Sequence, residues 1–103
     1  MIELIRKNQT EIENICRKLK IRRLEVFGSA ASGGFKPLES DVDLIVEFED
    51  PDAPPGLLSR YLELAEKLES VLGKKVDLIT PQSIRNPRFR KCVDESRELV
   101  YAA

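Results

Sequence analysis

The stretch that decides the fold runs from Phe27 to Val46 and reads FGSAASGGFKPLESDVDLIV. A Gly-Ser pair follows a short apolar run, and a glycine-bearing connector leads to Ser-Asp-Val-Asp at the head of a second apolar run. Because side chains two apart on a strand share a face, Asp41 and Asp43 would point one way and Val42 and Leu44 the other. The pattern predicts a phosphate cradle that faces a carboxylate pair.

The residue types in this stretch suit phosphate and metal chemistry. Two carboxylates about 6–7 Å apart along a strand repel each other unless a cation lies between them. Mg²⁺ suits such a pair, because it keeps some of its waters and takes other ligands from substrate phosphates. A glycine after a strand lets the backbone approach a ligand, and the N–H groups that open the next helix can donate to phosphate. The hydroxyl of Ser29 could bond a terminal phosphate.

Length and composition indicate one compact domain over residues 1–103, with 42% hydrophobic and 34% charged residues. A net charge of −1 gives no overall field that would recruit nucleic acid or a membrane. No apolar run is long enough to span a bilayer, so we expect a cytoplasmic protein. The chain has no histidine, which excludes histidine acid/base chemistry and histidine-ligated zinc. Cys16 and Cys92 lack metal or redox spacing, which predicts two buried or half-buried thiols in a reducing compartment.

In the first half of the chain, apolar periodicity predicts a helix over Ile2–Lys20, with room for a break near Asn8 and a capping box from Thr10 and Glu13. Alternation then predicts a strand that ends at Gly28, with Leu24 and Val26 facing the core. The predicted elements of this half are the strand Arg22–Phe27, a short helix Ser29–Ser32 ended by Gly33-Gly34, a loop Lys36–Glu39 and the strand Asp41–Phe48.

In the second half, three prolines predict an irregular acidic surface loop over Glu49–Gly56, either a connector or a lid. An apolar stripe predicts a helix over Leu57–Leu72, closed by Gly73. The stripe consists of Leu57, Leu58, Tyr61, Leu62, Leu64, Ala65, Leu68, Val71 and Leu72. Further predicted elements are the strand Lys74–Thr80, a turn at Asn86-Pro87, a helix from about Phe89 to Arg97 and a closing apolar piece Leu99–Tyr101.

This order predicts an α/β (α+β) fold, a small sheet of three to four strands with helices packed over it. Only about a dozen residues link the first two strands, which is short for a parallel crossover. The sheet should therefore be antiparallel or mixed. If the second and third strands are neighbours, Asp77 projects from the same face as Asp41 and Asp43. The alternative for Asp77 is a place on the solvent face of a one-sided sheet.

The motif Gly28-Ser29, ten residues, then Ser40-Asp41-Val42-Asp43-Leu44 resembles the signature of the nucleotidyltransferase superfamily related to DNA polymerase beta. With KKVDLIT adding a third aspartate, nearly the whole chain resembles a minimal nucleotidyltransferase (MNT) domain, the MntA-type antitoxin of HEPN/MNT modules. The resemblance implies the polymerase beta-like nucleotidyltransferase fold.

The resemblance also implies roles for individual residues. Asp41 and Asp43 would hold two Mg²⁺ ions that bridge ATP, and Asp77 would complete one metal site and accept the proton of the acceptor hydroxyl. The predicted nucleotide-binding residues are Gly28, Ser29 and Ser40, the first two at the β and γ phosphates. Many minimal domains carry an arginine in the pattern GSxARG where this chain has Ser32. The candidates to replace this cation are Lys36, Arg85, Arg88 and Arg90, and the alternative is that these residues form a solvated face.

No part of the 103 residues is left to hold an acceptor, so we expect the acceptor to bring its own binding surface. The resemblance implies transfer of AMP from ATP to a tyrosine of a partner HEPN-type RNase toxin, with no direct binding of nucleic acid. Two alternatives stay open: an antitoxin that inhibits its toxin by binding alone, and an enzyme that modifies a small hydroxylated compound such as an aminoglycoside.

Overall fold

A computed structural model describes residues 2–28 and 41–103 of the chain. Its helices are α1 (Glu3–Lys7), α2 (Gln9–Lys18), α3 (Leu57–Leu72) and α4 (Pro87–Ser96), with a 3-10 turn over Pro81–Ser83. Its strands are β1 (Ile21–Phe27), β2 (Val42–Phe48), β3 (Val76–Ile79) and β4 (Glu98–Ala102). The predicted short helix at 29–32 and the predicted loop at 36–39 lie outside the described residues.

The four strands form one mixed sheet in the order β3-β2-β1-β4. Strand β1 runs antiparallel to both β2 and β4, whereas β2 and β3 are parallel. The long helix α3 supplies the crossover that a parallel pair requires. The predicted α/β class and mixed sheet are confirmed, and the closing apolar piece is the edge strand β4.

The main core lies between one face of the sheet and helices α1, α2 and α3. Leu24 and Val26 of β1 and Leu44 of β2 are buried on this face, as alternation predicts. The remaining buried members of this core are Ile5, Ile12, Cys16, Leu19, Ile21, Val42, Val46, Leu64, Leu68, Leu72, Val76, Leu78 and Val100.

The N-terminal helix is broken at Asn8 into α1 and α2, so the break is confirmed. The predicted capping box of Thr10 and Glu13 is wrong, because both residues lie inside α2, whose N-cap is Asn8. The Asn8 side chain donates to the carbonyl of Leu4 at 2.8 Å, and its own carbonyl accepts from the N–H of Ile12 at 3.0 Å. The helix has therefore already begun when the chain reaches Thr10.

The apolar stripe of α3 is narrower than its sequence suggested. Leu58 and Leu62, which we assigned to the stripe, are 72% and 57% exposed, and Leu57 is also exposed. The buried line instead runs at intervals of four residues through Arg60, Leu64, Leu68 and Leu72. An arginine thus occupies the first buried position of the helix.

The loop from 49 to 56 contains no helix or strand, as its prolines predict. Arg60 fixes its path, because the guanidinium donates to the carbonyl oxygens of Glu49 at 2.8 Å, Asp50 at 2.9 Å and Pro55 at 3.1 Å. It also donates to the carbonyl of Leu19 at 3.4 Å. The buried charge is thereby solvated by main-chain dipoles in place of water.

The two cysteines differ in environment. Cys16 is fully buried in the core, and burial raises the pKa of its thiol to about 12. Cys92 is exposed on α4, so its prediction as a buried or half-buried thiol is wrong. Cys92 faces solvent because the next residue, Val93, occupies the position of α4 that faces the sheet.

In the described part of the chain, no helix has the length and apolar character needed to cross a membrane.

Candidate active site

Asp43 and Asp77 lie side by side on the sheet face opposite the main core. The register pairs Asp43 of β2 with Asp77 of the parallel strand β3 and with Phe27 of the antiparallel strand β1. Register partners point to the same side of a sheet, at a strand spacing of about 4.8 Å. The structure therefore brings the two aspartates together in one row, as the sequence pattern predicted for neighbouring strands.

The electrostatics of Asp43 reflect this neighbourhood. Its side chain is partly buried, and the pKa of the carboxyl group is raised first by this burial, then by the charge of Asp77 and then by that of Asp41. Asp41 is exposed and precedes β2 by one residue. The two other predicted aspartates thus both act electrostatically on Asp43, and a cation beside Asp43 would relieve this repulsion.

The donor set suits a hard divalent cation, because carboxylate oxygen is the ligand type that Mg²⁺ prefers. Within residues 2–28 and 41–103, no three acidic, histidine or cysteine side chains are gathered closely enough to enclose a metal ion. Mg²⁺ commonly takes only one or two carboxylates from the protein and completes its shell with water and substrate phosphates. The assignment of Asp41, Asp43 and Asp77 as metal ligands fits this open type of site and stays a prediction.

Gly28 follows β1 directly and adopts a positive φ of 70°, which a residue with a Cβ rarely adopts. A Cβ at this position would lie 3.0 Å from Oδ2 of Asp43. Glycine is thus needed both for the turn and for its close approach to the carboxylate. Its N–H donates to Oγ of Ser96 at 3.0 Å, so the contribution of Gly28 to a nucleotide would be its bare Cα rather than its amide.

The remaining predicted site residues fall into two groups. Ser29 and Ser40, together with Ser32 and Lys36, lie outside the described residues, and their roles stay predictions. Arg85, Arg88 and Arg90 are exposed at or just before the first turns of α4. Arg90 donates to the carbonyl of Pro81 at 3.1 Å, which ties the start of the helix to the 3-10 turn.

A second, small apolar cluster lies beside the aspartates on the same sheet face. It contains Phe27, Ile45, Ile84 and Val93, with Ile79 packed against it. The ring of Phe89 on α4 meets the ring of Phe27 edge to face, with centroids 6.0 Å apart. Helix α4 therefore covers the part of the face next to the aspartate row.

No sequence pattern predicts the ion pair that the buried Glu25 forms in this region. Glu25, only 5% exposed, accepts from Nε and Nη2 of Arg97 at 3.0 and 2.6 Å and from Nε of Arg23 at 3.0 Å. The bonds from Arg97 are the main cause of the lowered pKa of the Glu25 carboxyl group. In sequence, Glu25 is indistinguishable from a residue on a solvent face, because its partner Arg97 lies 72 positions away.

Comparisons with known proteins identify the family of this chain. The family model described as "Nucleotidyltransferase domain" matches residues 10–100. A Methanocaldococcus jannaschii protein, provisionally named a protein adenylyltransferase, is 42% identical over 99 residues, which is 96% of this chain and 91% of that protein. The protein adenylyltransferase MntA of Thermococcus cleftensis is 40% identical over 81 residues, which is 79% of this chain and 74% of that protein.

A solved structure with the same fold is described as a toxin-antitoxin with AMP-PNP. It is 26% identical, with a TM-score of 0.67 over 93% of this chain and 74% of that chain. The family match spans most of the chain and contains Gly28, Asp41, Asp43 and Asp77. The chain belongs to the nucleotidyltransferase domain family, as its motif indicated.

Proposed function

We propose that this protein is an Mg²⁺-dependent antitoxin that transfers AMP from ATP to a tyrosine of a partner HEPN-type RNase toxin. The observation that carries the proposal is the register of Asp43 with Asp77 beside the glycine turn at Gly28. The names of the relatives support protein adenylylation, and the nucleotide analogue in the toxin-antitoxin structure supports an adenine nucleotide and a toxin partner.

The site residues of this chain would have distinct roles in the reaction. Asp41 and Asp43 would hold the metal ions, with Asp77 as a further ligand of one of them. When bound, two Mg²⁺ ions would neutralise phosphate charge and ease the departure of pyrophosphate. Because Gly28 has no side chain, it places no Cβ against Oδ2 of Asp43, and the triphosphate would lie next to the bare backbone of this turn.

In the transfer step, the tyrosine oxygen forms a bond to the α-phosphorus of ATP, and the bond from that phosphorus to pyrophosphate breaks. The tyrosine proton passes to the carboxylate of Asp77, which is exposed and therefore accessible to an acceptor. Positioning and electrostatic stabilisation supply most of the rate enhancement in such transfers, so the lack of histidine is no obstacle.

The test combines the chain, Mg²⁺, ATP labelled at the α-phosphate and the protein encoded by the adjacent gene. We expect label on a tyrosine of that partner, located by mass spectrometry, together with loss of its RNase activity. Asp43→Asn and Asp77→Asn should each lower the transfer rate roughly 100-fold or more. Asp52→Asn, in the exposed loop after β2, is the matched control and should transfer normally.

Absence of label on the partner with the intact chain would overturn the proposal. If the partner is nevertheless silenced, and an Asp41→Ala/Asp43→Ala chain silences it equally well, the protein acts by binding alone. Labelling of a small hydroxylated compound by the isolated chain would assign the activity to small-molecule modification instead.

A further inference from the structure

Ser96, the last residue of α4, is bonded to the turn that borders the aspartates. Its Oγ accepts the N–H of Gly28 at 3.0 Å and donates to the carbonyl of Cys92 one helical turn earlier at 3.1 Å. The hydroxyl therefore uses both its acceptor and its donor capacity. The bond to Cys92 is a usual local bond of a helical serine, whereas the bond to Gly28 is not part of ordinary helix geometry.

The end of α4 is itself held firmly on β1. Arg97, the next residue, forms two charge-assisted hydrogen bonds to Glu25, three positions before Gly28. On the preceding turns of the helix, Val93 packs with Phe27, and Phe89 meets the Phe27 ring. The end of α4, with the hydroxyl of Ser96, is thus fixed to β1, the strand that Gly28 directly follows.

The position of Gly28 matters to Asp43 because the space between them is too small for one added methyl group. A Cβ added at Gly28 would lie 3.0 Å from Oδ2 of Asp43. A movement of the turn toward β2 would push against the carboxylate, and a movement away would open a gap beside it. The hydrogen bond from Gly28 to Ser96 limits both movements.

From these contacts we propose that Ser96 is a positioning residue, whose hydroxyl fixes the Gly28 turn so that the nucleotide phosphates and Asp43 meet in the right geometry. The inference rests on the proposed function, since it concerns the same nucleotide site. It assigns to the C-terminal end of α4 a role that neither the motif around Asp41 nor the names of the relatives include.

The test uses the intact chain with Ser96→Ala, which removes the hydroxyl, and Ser96→Thr, which keeps it. Ser59→Ala is the matched control, because Ser59 is an exposed helical serine on α3. Amide hydrogen exchange of Gly28 is measured by NMR, and the dissociation constant of AMP-PNP is measured in the presence of Mg²⁺. The amide spectrum of each variant establishes that it is folded.

We expect Ser96→Ala to speed exchange at the Gly28 amide and to weaken AMP-PNP binding about 3- to 10-fold, the range for one lost hydrogen bond. Ser96→Thr should restore both values, and Ser59→Ala should change neither. In the transfer assay, Ser96→Ala should raise KM for ATP by a similar factor and leave the RNase partner's affinity unchanged.

The outcomes separate this inference from the proposed function. If the intact chain binds AMP-PNP and Ser96→Ala binds it equally well, the positioning role is wrong and the proposed function stands. An unchanged exchange rate at Gly28 in Ser96→Ala would also overturn the inference. If the intact chain binds no AMP-PNP with Mg²⁺ present, both the proposed function and the inference fail.

Discussion

Gly28 and Asp43 approach so closely that one methyl group added to Gly28 would meet Oδ2 of Asp43 at 3.0 Å. The contact joins the two halves of the motif, the glycine turn after β1 and the aspartates at the start of β2, at one end of the two central strands. It also makes the consequences of several substitutions predictable.

Gly28→Ala should damage both stability and activity. The φ of 70° disfavours any residue with a Cβ, and the new methyl group presses on the Asp43 carboxylate. We expect a loss of about 1–2 kcal/mol in the free energy of unfolding, measured by denaturant titration. Transfer activity should fall at least about 10-fold, since misplacement of a reacting geometry is costly. Gly56→Ala is the control, because a Cβ there meets nothing within 4 Å.

Asp43→Asn should stabilise the metal-free protein at neutral pH. The folded-state pKa of Asp43 is raised above its ordinary value of 3.8, so the folded protein holds this proton more tightly than the unfolded chain. The stability that this group contributes is complete below pH 3.8 and is lost as pH rises through the folded pKa. Thermal unfolding of Asp43→Asn should therefore give a higher Tm than the original chain at pH 7, and the difference should shrink in acid.

Mg²⁺ should stabilise the original chain more than it stabilises Asp43→Asn. Adding it should raise the Tm of the original chain, because a bound cation removes the repulsion at Asp43. A smaller rise is expected for Asp43→Asn, while Asp52→Asn should respond like the original chain. Equal responses of the original chain and Asp43→Asn would argue against Asp43 as a metal ligand.

Arg97→Ala should destabilise the fold by about 1–3 kcal/mol, because it leaves Glu25 buried with only Arg23 as a partner. The lowered pKa of Glu25 gives stability that is present above its ordinary pKa of 4.5 and lost as pH falls through the folded pKa. The loss of stability as pH falls should thus be smaller in Arg97→Ala than in the original chain, as followed by circular dichroism between pH 2 and 7. Asp94→Ala, which removes the half-exposed partner of Arg97, should change stability by no more than about 0.5 kcal/mol.

Arg60→Met should destabilise the fold by about 2–4 kcal/mol, although it preserves most of the buried volume. The substitution removes the guanidinium that donates to the carbonyl oxygens of Glu49, Asp50 and Pro55, of which Asp50 keeps a bond from the N–H of Ala53. Limited proteolysis should then cut the loop from 49 to 56 faster than in the original chain. Arg17→Met is the control, because Arg17 is exposed and its hydrogen bond to Asn14 lies at the surface.

The aspartate row was predictable because it depends on local rules. Because side chains alternate along a strand, Asp43 points to the other face of the sheet from the core residues Val42 and Leu44. The same alternation places Asp77 on the other face from Val76 and Leu78. The sequence did not establish that β2 and β3 are neighbours; that followed only with the register in the structure.

The supports of the site were not predictable for a common reason. Ser96 and Arg97 bond residues about 70 positions away, and nothing in their local sequence distinguishes them from a solvated helix end. Arg60 was hidden in the same way, because a charged residue near the start of an amphipathic helix is normally exposed. In addition, the exposed residues Leu57, Leu58 and Leu62 made a solvent-facing side of the helix look apolar in the sequence.

The four acceptors that surround Arg60 are all main-chain oxygens. Hydrogen bonds of this kind depend on the path of the loop backbone and do not depend on the identity of the loop side chains. The acidic and proline-rich segment after β2 can therefore exchange its surface residues freely while keeping its path, which makes it a suitable place to vary partner recognition without altering the scaffold beneath.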